Sequence, residues 1–111
     1  MSLPKVLIVD DWINLLAWRG ILEKIVEIEI ARYPNEALAK LKTGGYFAVA
    51  INANNLSIAA FAVEARKIFK GSIIALSDVE DGFSERALRA GCSRCLRYRE
   101  LYGELLSLTT N

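Results

Sequence analysis

The sequence predicts an α/β fold, a doubly wound sheet of five parallel strands with a helix after each strand, (βα)5. The main observation is that short apolar runs recur five times and alternate with longer segments whose apolar residues repeat at helical spacing. The runs show little alternation with polar residues, as is typical of strands covered on both faces. The connections are short, which favours right-handed crossovers on both sides of one sheet.

The first two strand and helix pairs follow from this apolar pattern. Residues 5–9 (KVLIV) are apolar and rich in β-branched side chains, so they predict a buried strand. Residues 11–25 predict a helix with one buried face, because apolar side chains recur at positions 15, 18, 22 and 25. Residues 28–31 predict the second strand. Pro34 then precedes a helix over 36–41, near the first turn where helices accept proline.

The remaining three pairs are predicted in the same way. Residues 47–51 are a third apolar run, and a polar segment separates this strand from a helix over 58–69 that Gly71 ends. The order then continues with a strand at 72–76, a helix at 83–90, a strand at 94–96 and a helix at 99–108. No linker or repeat interrupts the pattern, so residues 1–111 are predicted to form a single domain.

The composition excludes several classes of function. Fourteen Lys and Arg residues against thirteen Asp and Glu residues give a net charge of +1, which provides no field to attract nucleic acid or an anionic membrane. The apolar runs are far shorter than the roughly 20 residues that cross a bilayer, and no signal peptide is recognisable. We therefore expect a soluble, cytoplasmic protein.

Two cysteines, Cys92 and Cys95, form a C-x-x-C motif. A zinc site needs about four ligands, and the chain has no histidine and no further cysteine. The motif enters a predicted strand, where positions i and i+3 point to opposite faces, and this disfavours a redox pair. The favoured interpretation is that both are small residues packed in or beside the strand.

Polar residues follow the predicted strands at the end of the sheet where ligands bind in such folds. They are Asp10, Asp11, Asn52, Ser77, Arg97, Tyr98 and Arg99. Two carboxylates at one strand end repel each other unless a cation compensates, so Asp10 and Asp11 indicate a site for a hard metal ion. The alternative is that Asp10 or Asp11 merely caps the following helix.

The segment VLIVDD, residues 6–11, resembles the first-strand signature of response-regulator receiver domains of two-component signalling. Further segments resemble receivers in the expected order, at residues 35–38, 46–52, 73–77 and 90–92. This resemblance covers nearly the whole chain and implies the flavodoxin-like receiver fold.

The resemblance also implies that the phosphorylation pocket is degenerate. Asn52 matches the position of the phosphoacceptor aspartate, and Tyr98 matches that of the lysine that stabilises phosphoryl charge. The aromatic switch position falls at Cys95. An arginine, Arg97 or Arg99, is an open alternative to the missing lysine.

Three pocket residues of the receiver pattern are retained: Asp10, Asp11 and Ser77. They imply a weak Mg²⁺ site at most, and no cofactor is required. The implied function is a protein-interaction module of a phosphorelay that acts without phosphorylation and is not an enzyme. Its partner would be a protein such as a histidine kinase or another signalling or output protein.

The resemblance places partner binding on the fourth helix, fifth strand and fifth helix. The residues predicted for this face are Phe83, Arg86, Arg89, Arg94, Arg97, Arg99 and Tyr102. Arginine and tyrosine are frequent anchors of protein interfaces. The alternative is that Phe83 and Tyr102 belong to the core and that the arginines form an ordinary solvated surface.

Two other functions stay open at this stage. One is a small α/β domain that senses a metal or ligand through Asp10 and Asp11, and the other is a flavodoxin-like enzyme unrelated to signalling. The enzyme has little support, because the chain contains neither a G-x-G-x-x-G nor a G-x-x-x-x-G-K-[ST] motif and no histidine. The partner's identity and the oligomeric state also stay open.

Overall fold

In a computed structural model, residues 3–10, 17–53, 58–77 and 83–110 are described. Five strands form one sheet: β1 (Lys5–Val9), β2 (Glu27–Ala31), β3 (Tyr46–Asn52), β4 (Ser72–Leu76) and β5 (Arg94–Leu96). Their spatial order is β2-β1-β3-β4-β5, and every neighbouring pair is parallel. The predicted fold class is therefore confirmed.

Helices cover both faces of this sheet. They are α1 (Arg19–Leu22), α2 (Pro34–Thr43), α3 (Ile58–Ile68), α4 (Phe83–Ala90) and α5 (Leu101–Thr110), and a 3₁₀ turn at Tyr98–Glu100 precedes the last. α2, α3 and α4 pack on one face, while α1 and α5 pack on the other. Within the described parts of the chain, no helix has the length and apolar character needed to cross a bilayer.

Several predicted helix bounds differ from the structure, most of them by one or two residues, and two of the differences have a visible cause. α1 ends at Leu22, three residues before the predicted end, because the amides of Lys24 and Ile25 bond to carbonyls three residues back instead of four. Residues 11–16, the predicted start of this helix, lie outside the described residues. The last helix begins at Leu101 instead of Arg99, since the chain first makes the 3₁₀ turn.

The core has one layer on each side of the sheet, as expected for strands buried on both faces. The layer under α2, α3 and α4, here the α3-side core, includes Leu7, Val49 and Phe61. The layer under α1 and α5, here the α5-side core, includes Ile8 and Leu101. Alternate residues of β1, β3 and β4 thus point into opposite layers, which fixes the register of the strands.

Arg66 of α3 joins the segments that lead into β4 and β5. Its guanidinium donates to the carbonyl of Gly71 at 2.7 Å, to the carbonyl of Gly91 at 3.0 Å and to Oγ of Ser93 at 3.1 Å. It also contacts the carbonyl of Phe69 at 3.4 Å. The planar fork of an arginine suits several acceptors at once, so this single side chain holds the amino ends of two neighbouring strands.

Candidate functional site

The carboxyl end of the sheet brings together residues from four strands. Asp10 follows β1, Asn52 ends β3, Ser77 follows β4, and Tyr98 comes two residues after β5. Backbone bonds extend the sheet to this end: the amide of Asp10 donates to a β2 carbonyl at 3.1 Å, and the amide of Ser77 donates to a β5 carbonyl at 2.9 Å. The site residues are therefore positioned by the sheet itself.

A hydrogen-bonded bridge connects three of these side chains. The Tyr98 hydroxyl donates to Oδ2 of Asp10 and accepts a bond from Nδ2 of Asn52 at 2.9 Å. Tyr98 is 5% exposed and Asp10 is 6% exposed, so the bond between them is shielded from water. We call this arrangement the Asp10–Tyr98–Asn52 bridge. It links β1, β3 and the 3₁₀ turn.

The bridge places the Asn52 amide at the end of β3 and the Tyr98 hydroxyl against Asp10. The Asn52 amide is a poor nucleophile and cannot form a stable acyl phosphate. The phenol of Tyr98 is a neutral donor, and it cannot replace a compact ammonium group in balancing phosphoryl charge. What the bridge does in the structure is to hold the ends of β1 and β3 against the 3₁₀ turn.

Asp10 is the described part of the predicted magnesium site. Mg²⁺ requires six oxygen ligands in octahedral arrangement, and in proteins it is usually held by one or two carboxylates. At the bridge, one oxygen of the Asp10 carboxylate already accepts the Tyr98 proton. In residues 3–10, 17–53, 58–77 and 83–110, no group of three His, Cys, Asp or Glu residues could hold a metal ion. Asp11, the other predicted ligand, lies outside these ranges.

The 3₁₀ turn explains how Tyr98 comes to meet Asp10. The amide of Arg97 donates to Oε1 of Glu100 at 2.9 Å, and the amide of Glu100 donates to the Arg97 carbonyl at 2.9 Å. These reciprocal bonds tighten the turn and direct Tyr98 into the α5-side core. Arg99, on the same turn, is exposed to solvent.

The predicted partner face lies along β5, which is an edge strand flanked by α4 and α5. Four of its arginines, Arg86, Arg89, Arg94 and Arg99, are exposed, and Arg97 is half-buried. Two of them pair with carboxylates on the same face: Arg89 bonds Glu85 at 2.8 Å, and Arg94 lies 3.4 Å from Glu104.

Of the two aromatic residues predicted for this face, the structure describes the side chain of one, Tyr102. Tyr102 is half-buried and packs against the α5-side core, so it contributes to folding as well as to the surface. The side chain of Phe83 lies outside the described residues.

Sequence reasoning missed two exposed leucines on the same helices. Leu88 of α4 is 48% exposed and Leu106 of α5 is 38% exposed. Each directly follows a buried residue, Ala87 and Leu105 respectively, so each is turned about 100° away from the buried stripe of its helix. That helical position is the signal that would have identified them.

The two cysteines lie on the same side of the sheet, so the prediction of opposite faces was wrong. Cys92 belongs to the α3-side core and Cys95 packs against it. The alternation rule does not apply between them, because β5 begins only at Arg94. Neither cysteine forms a disulfide bond. Burial raises the pKa of Cys92 to about 11, and this agrees with the interpretation as a packed small residue.

Solved structures with the same fold are response regulators and receiver domains. A response regulator from Thermotoga maritima is 19% identical with a TM-score of 0.82, over 98% of this chain and 99% of that chain. A two-component response regulator from Clostridium difficile is 22% identical with a TM-score of 0.82, over 100% of this chain and 98% of that chain.

A third similar structure is the receiver domain of a sensor histidine kinase from Pseudomonas aeruginosa, which has a magnesium ion coordinated in its active site cleft. It is 19% identical with a TM-score of 0.78, over 99% of this chain and 100% of that chain. No family model and no curated protein matches the sequence. The similarities establish that the chain has the receiver fold.

Proposed function

We propose that this receiver-fold domain is a protein-interaction module of two-component signalling that works without phosphorylation and has no enzymatic activity. The observation that carries the proposal is the Asp10–Tyr98–Asn52 bridge, in which a neutral hydroxyl contacts the buried carboxylate. Receiver-like solved structures over the whole chain length support the signalling context. A cytoplasmic location accords with this role.

In this proposal the domain needs no cofactor. A receiver such as the magnesium-bound one from Pseudomonas aeruginosa holds its ion in the active site cleft. Here one oxygen of Asp10 is engaged by Tyr98, so Mg²⁺ would have to compete with an existing hydrogen bond. We therefore expect any Mg²⁺ binding at Asp10 and Asp11 to be weak.

The partner is proposed to bind the face formed by α4, β5 and α5. Its exposed arginines are suited to bidentate bonds with carboxylates, and the exposed Leu88 and Leu106 add apolar area between charged groups. This combination fits a protein partner with an acidic and partly apolar surface. A histidine kinase or an output protein of the same pathway is the expected class.

The first test is incubation with acetyl phosphate and Mg²⁺, followed by intact mass measurement. The wild type is expected to gain no phosphoryl mass, and the Asn52→Asp variant is expected to gain it slowly, because no ammonium group stands at Tyr98. The double variant Asn52→Asp with Tyr98→Lys should react faster than the single variant. A phosphoryl mass on the wild type would refute the proposal.

The second test is a pull-down from the source cell with charge-reversed baits. Arg89→Glu with Arg99→Glu changes two exposed residues of the face, and it should abolish capture of the partner without loss of folding. The control Lys42→Glu with Lys70→Glu makes the same charge change at exposed sites elsewhere and should leave capture intact. Capture that survives the arginine change but is lost with Asp10→Ala would instead favour a ligand-sensing pocket.

A further inference from the structure

The Tyr98 side chain contacts both the hydrophobic core and the polar residues at the carboxyl end of the sheet. Its ring belongs to the α5-side core, the same cluster that contains Leu101 and Leu105 of α5. Its hydroxyl reaches the strand ends, where it meets Asp10 and Asn52. One rigid side chain thus connects the base of α5 to β1 and β3.

The hydroxyl is held by two bonds of different character. It donates to a buried carboxylate, and hydrogen bonds to charged acceptors in a shielded place are among the stronger ones in proteins. It also accepts a hydrogen bond from the Asn52 amide at 2.9 Å, so the hydroxyl is used both as a donor and as an acceptor. Moving Tyr98 outward would break both bonds at once.

Tyr98 is also fixed to the surface that follows it. It is the first residue of the 3₁₀ turn, whose reciprocal bonds join Arg97 to Glu100, and the amide of Leu101 bonds to the Tyr98 carbonyl. Arg97 and Arg99, its two neighbours in sequence, belong to the partner face. The position of this segment therefore depends on the position of Tyr98.

We propose that the Tyr98 hydroxyl is a permanent clasp that fixes the junction of β5 and α5, so that the partner face keeps one conformation with no phosphoryl group present. The proposal rests on the proposed function for the meaning of that face. The clasp itself is a property of the free domain. It makes Tyr98 a positioning residue, which acts on the partner only through residues 97–101.

Hydrogen exchange of the free domain, measured by mass spectrometry, tests the clasp with Tyr98→Phe. This variant keeps the ring in the core and removes only the hydroxyl. The amides of residues 97–101 are expected to exchange about tenfold faster than in the wild type, while those of β3 and β4 change far less. Tyr102→Phe is the matched control, since it removes the hydroxyl of another tyrosine of the α5-side core and should leave exchange at 97–101 unchanged.

Unchanged exchange at residues 97–101 in Tyr98→Phe would overturn the proposed clasp. A uniform acceleration of exchange over the whole domain would also overturn it, because it would show that the hydroxyl only stabilises the fold. Asp10→Asn provides a second variant if Tyr98→Phe does not fold. It keeps an acceptor but removes the charge, so a smaller local acceleration of about threefold is expected, and no local change would refute the proposal. Hydrogen exchange is measured on the free domain, so it tests the clasp alone. The pull-down with charge-reversed arginines tests partner binding, and either result can be negative without the other.

Discussion

The two ends of the sheet are joined by different kinds of polar contact. At the amino end, Arg66 donates to backbone carbonyls of Gly71 and Gly91. At the carboxyl end, the side chains of Asp10, Tyr98 and Asn52 bond to one another. Most acceptors of Arg66 are backbone carbonyls, which are present whatever the sequence, and Ser93 adds one side-chain acceptor. The carboxyl end, in contrast, needs three side chains that match.

The two ends are expected to respond differently to substitution. The amino end uses a cation to hold the starts of two strands, β4 and β5. The carboxyl end has a neutral phenol facing a buried carboxylate, and the bridge leads into the arginine-rich face through the 3₁₀ turn. Changes at the amino end should therefore affect the whole domain, and changes at the carboxyl end should act locally.

The largest expected effect is at Gly71, where no space is left for a side chain. A Cβ added there would lie 2.7 Å from the carbonyl oxygen of Phe47 and 2.5 Å from Cζ of Phe69, which is itself buried. Gly71→Ala should lower the free energy of unfolding by about 3 kcal/mol, measured by urea denaturation. The control Gly103→Ala has open space around the added methyl and should raise stability by about 0.5–1 kcal/mol. Equal stability of the two variants would contradict this packing.

Removing the arginine clamp should have the next largest effect. Arg66→Ala leaves the carbonyls of Gly71 and Gly91 without their guanidinium donor, and we expect a loss of about 2 kcal/mol in urea denaturation. Arg66→Lys should recover little, because one ammonium cannot reproduce the planar fork. Lys67→Ala, which breaks only an exposed pair with Glu64, serves as the control and should cost less than about 0.5 kcal/mol. A loss as small as that of the control would mean that the clamp is dispensable.

A smaller effect is expected from Glu29, which lies beside Tyr46 and Lys40. The Tyr46 hydroxyl that donates to it, and then Lys40 at 3.1 Å, hold the pKa of Glu29 below its usual 4.5. This contribution to stability is present above the unfolded pKa and is lost as the pH falls through the lower folded pKa. Glu29→Gln should therefore be less stable than the wild type at pH 6 and approach it near pH 3, by at most about 1 kcal/mol because the side chain is partly exposed. A pH-independent difference in urea midpoints would contradict the assignment.

The smallest expected effect is a difference in the alkylation rates of the two cysteines, and it involves no change in stability. Burial raises the thiol pKa of Cys92 to about 11, so at pH 7.5 almost no thiolate is present. Iodoacetamide should modify the half-buried Cys95 first and should reach Cys92 at a comparable rate only in urea. Mass spectrometry of the digested protein measures both sites. Rapid native labelling of Cys92 would show that the α3-side core opens there.

Much of the fold could be predicted because it depends on local pattern. The predicted bounds of β1 and β4 agree with the structure, since strands covered on both faces are continuous apolar runs ended by polar residues. The predicted bounds of β5 and α4 agree as well. The identities of Asn52 and Tyr98 also follow from the sequence. Through the resemblance to receiver domains, they predict that an amide and a phenol replace the usual nucleophile and cation.

Only the tertiary structure decided which side chains meet. Tyr98 and Asp10 are 88 residues apart, and their contact depends on the order of the strands and on the 3₁₀ turn that directs the ring inward. The shared side of the two cysteines and the half-burial of Tyr102 were decided in the same way. Hydrophobic periodicity reports which face of its own segment a residue occupies, but a contact between distant segments is set by how all five strands and their helices pack together.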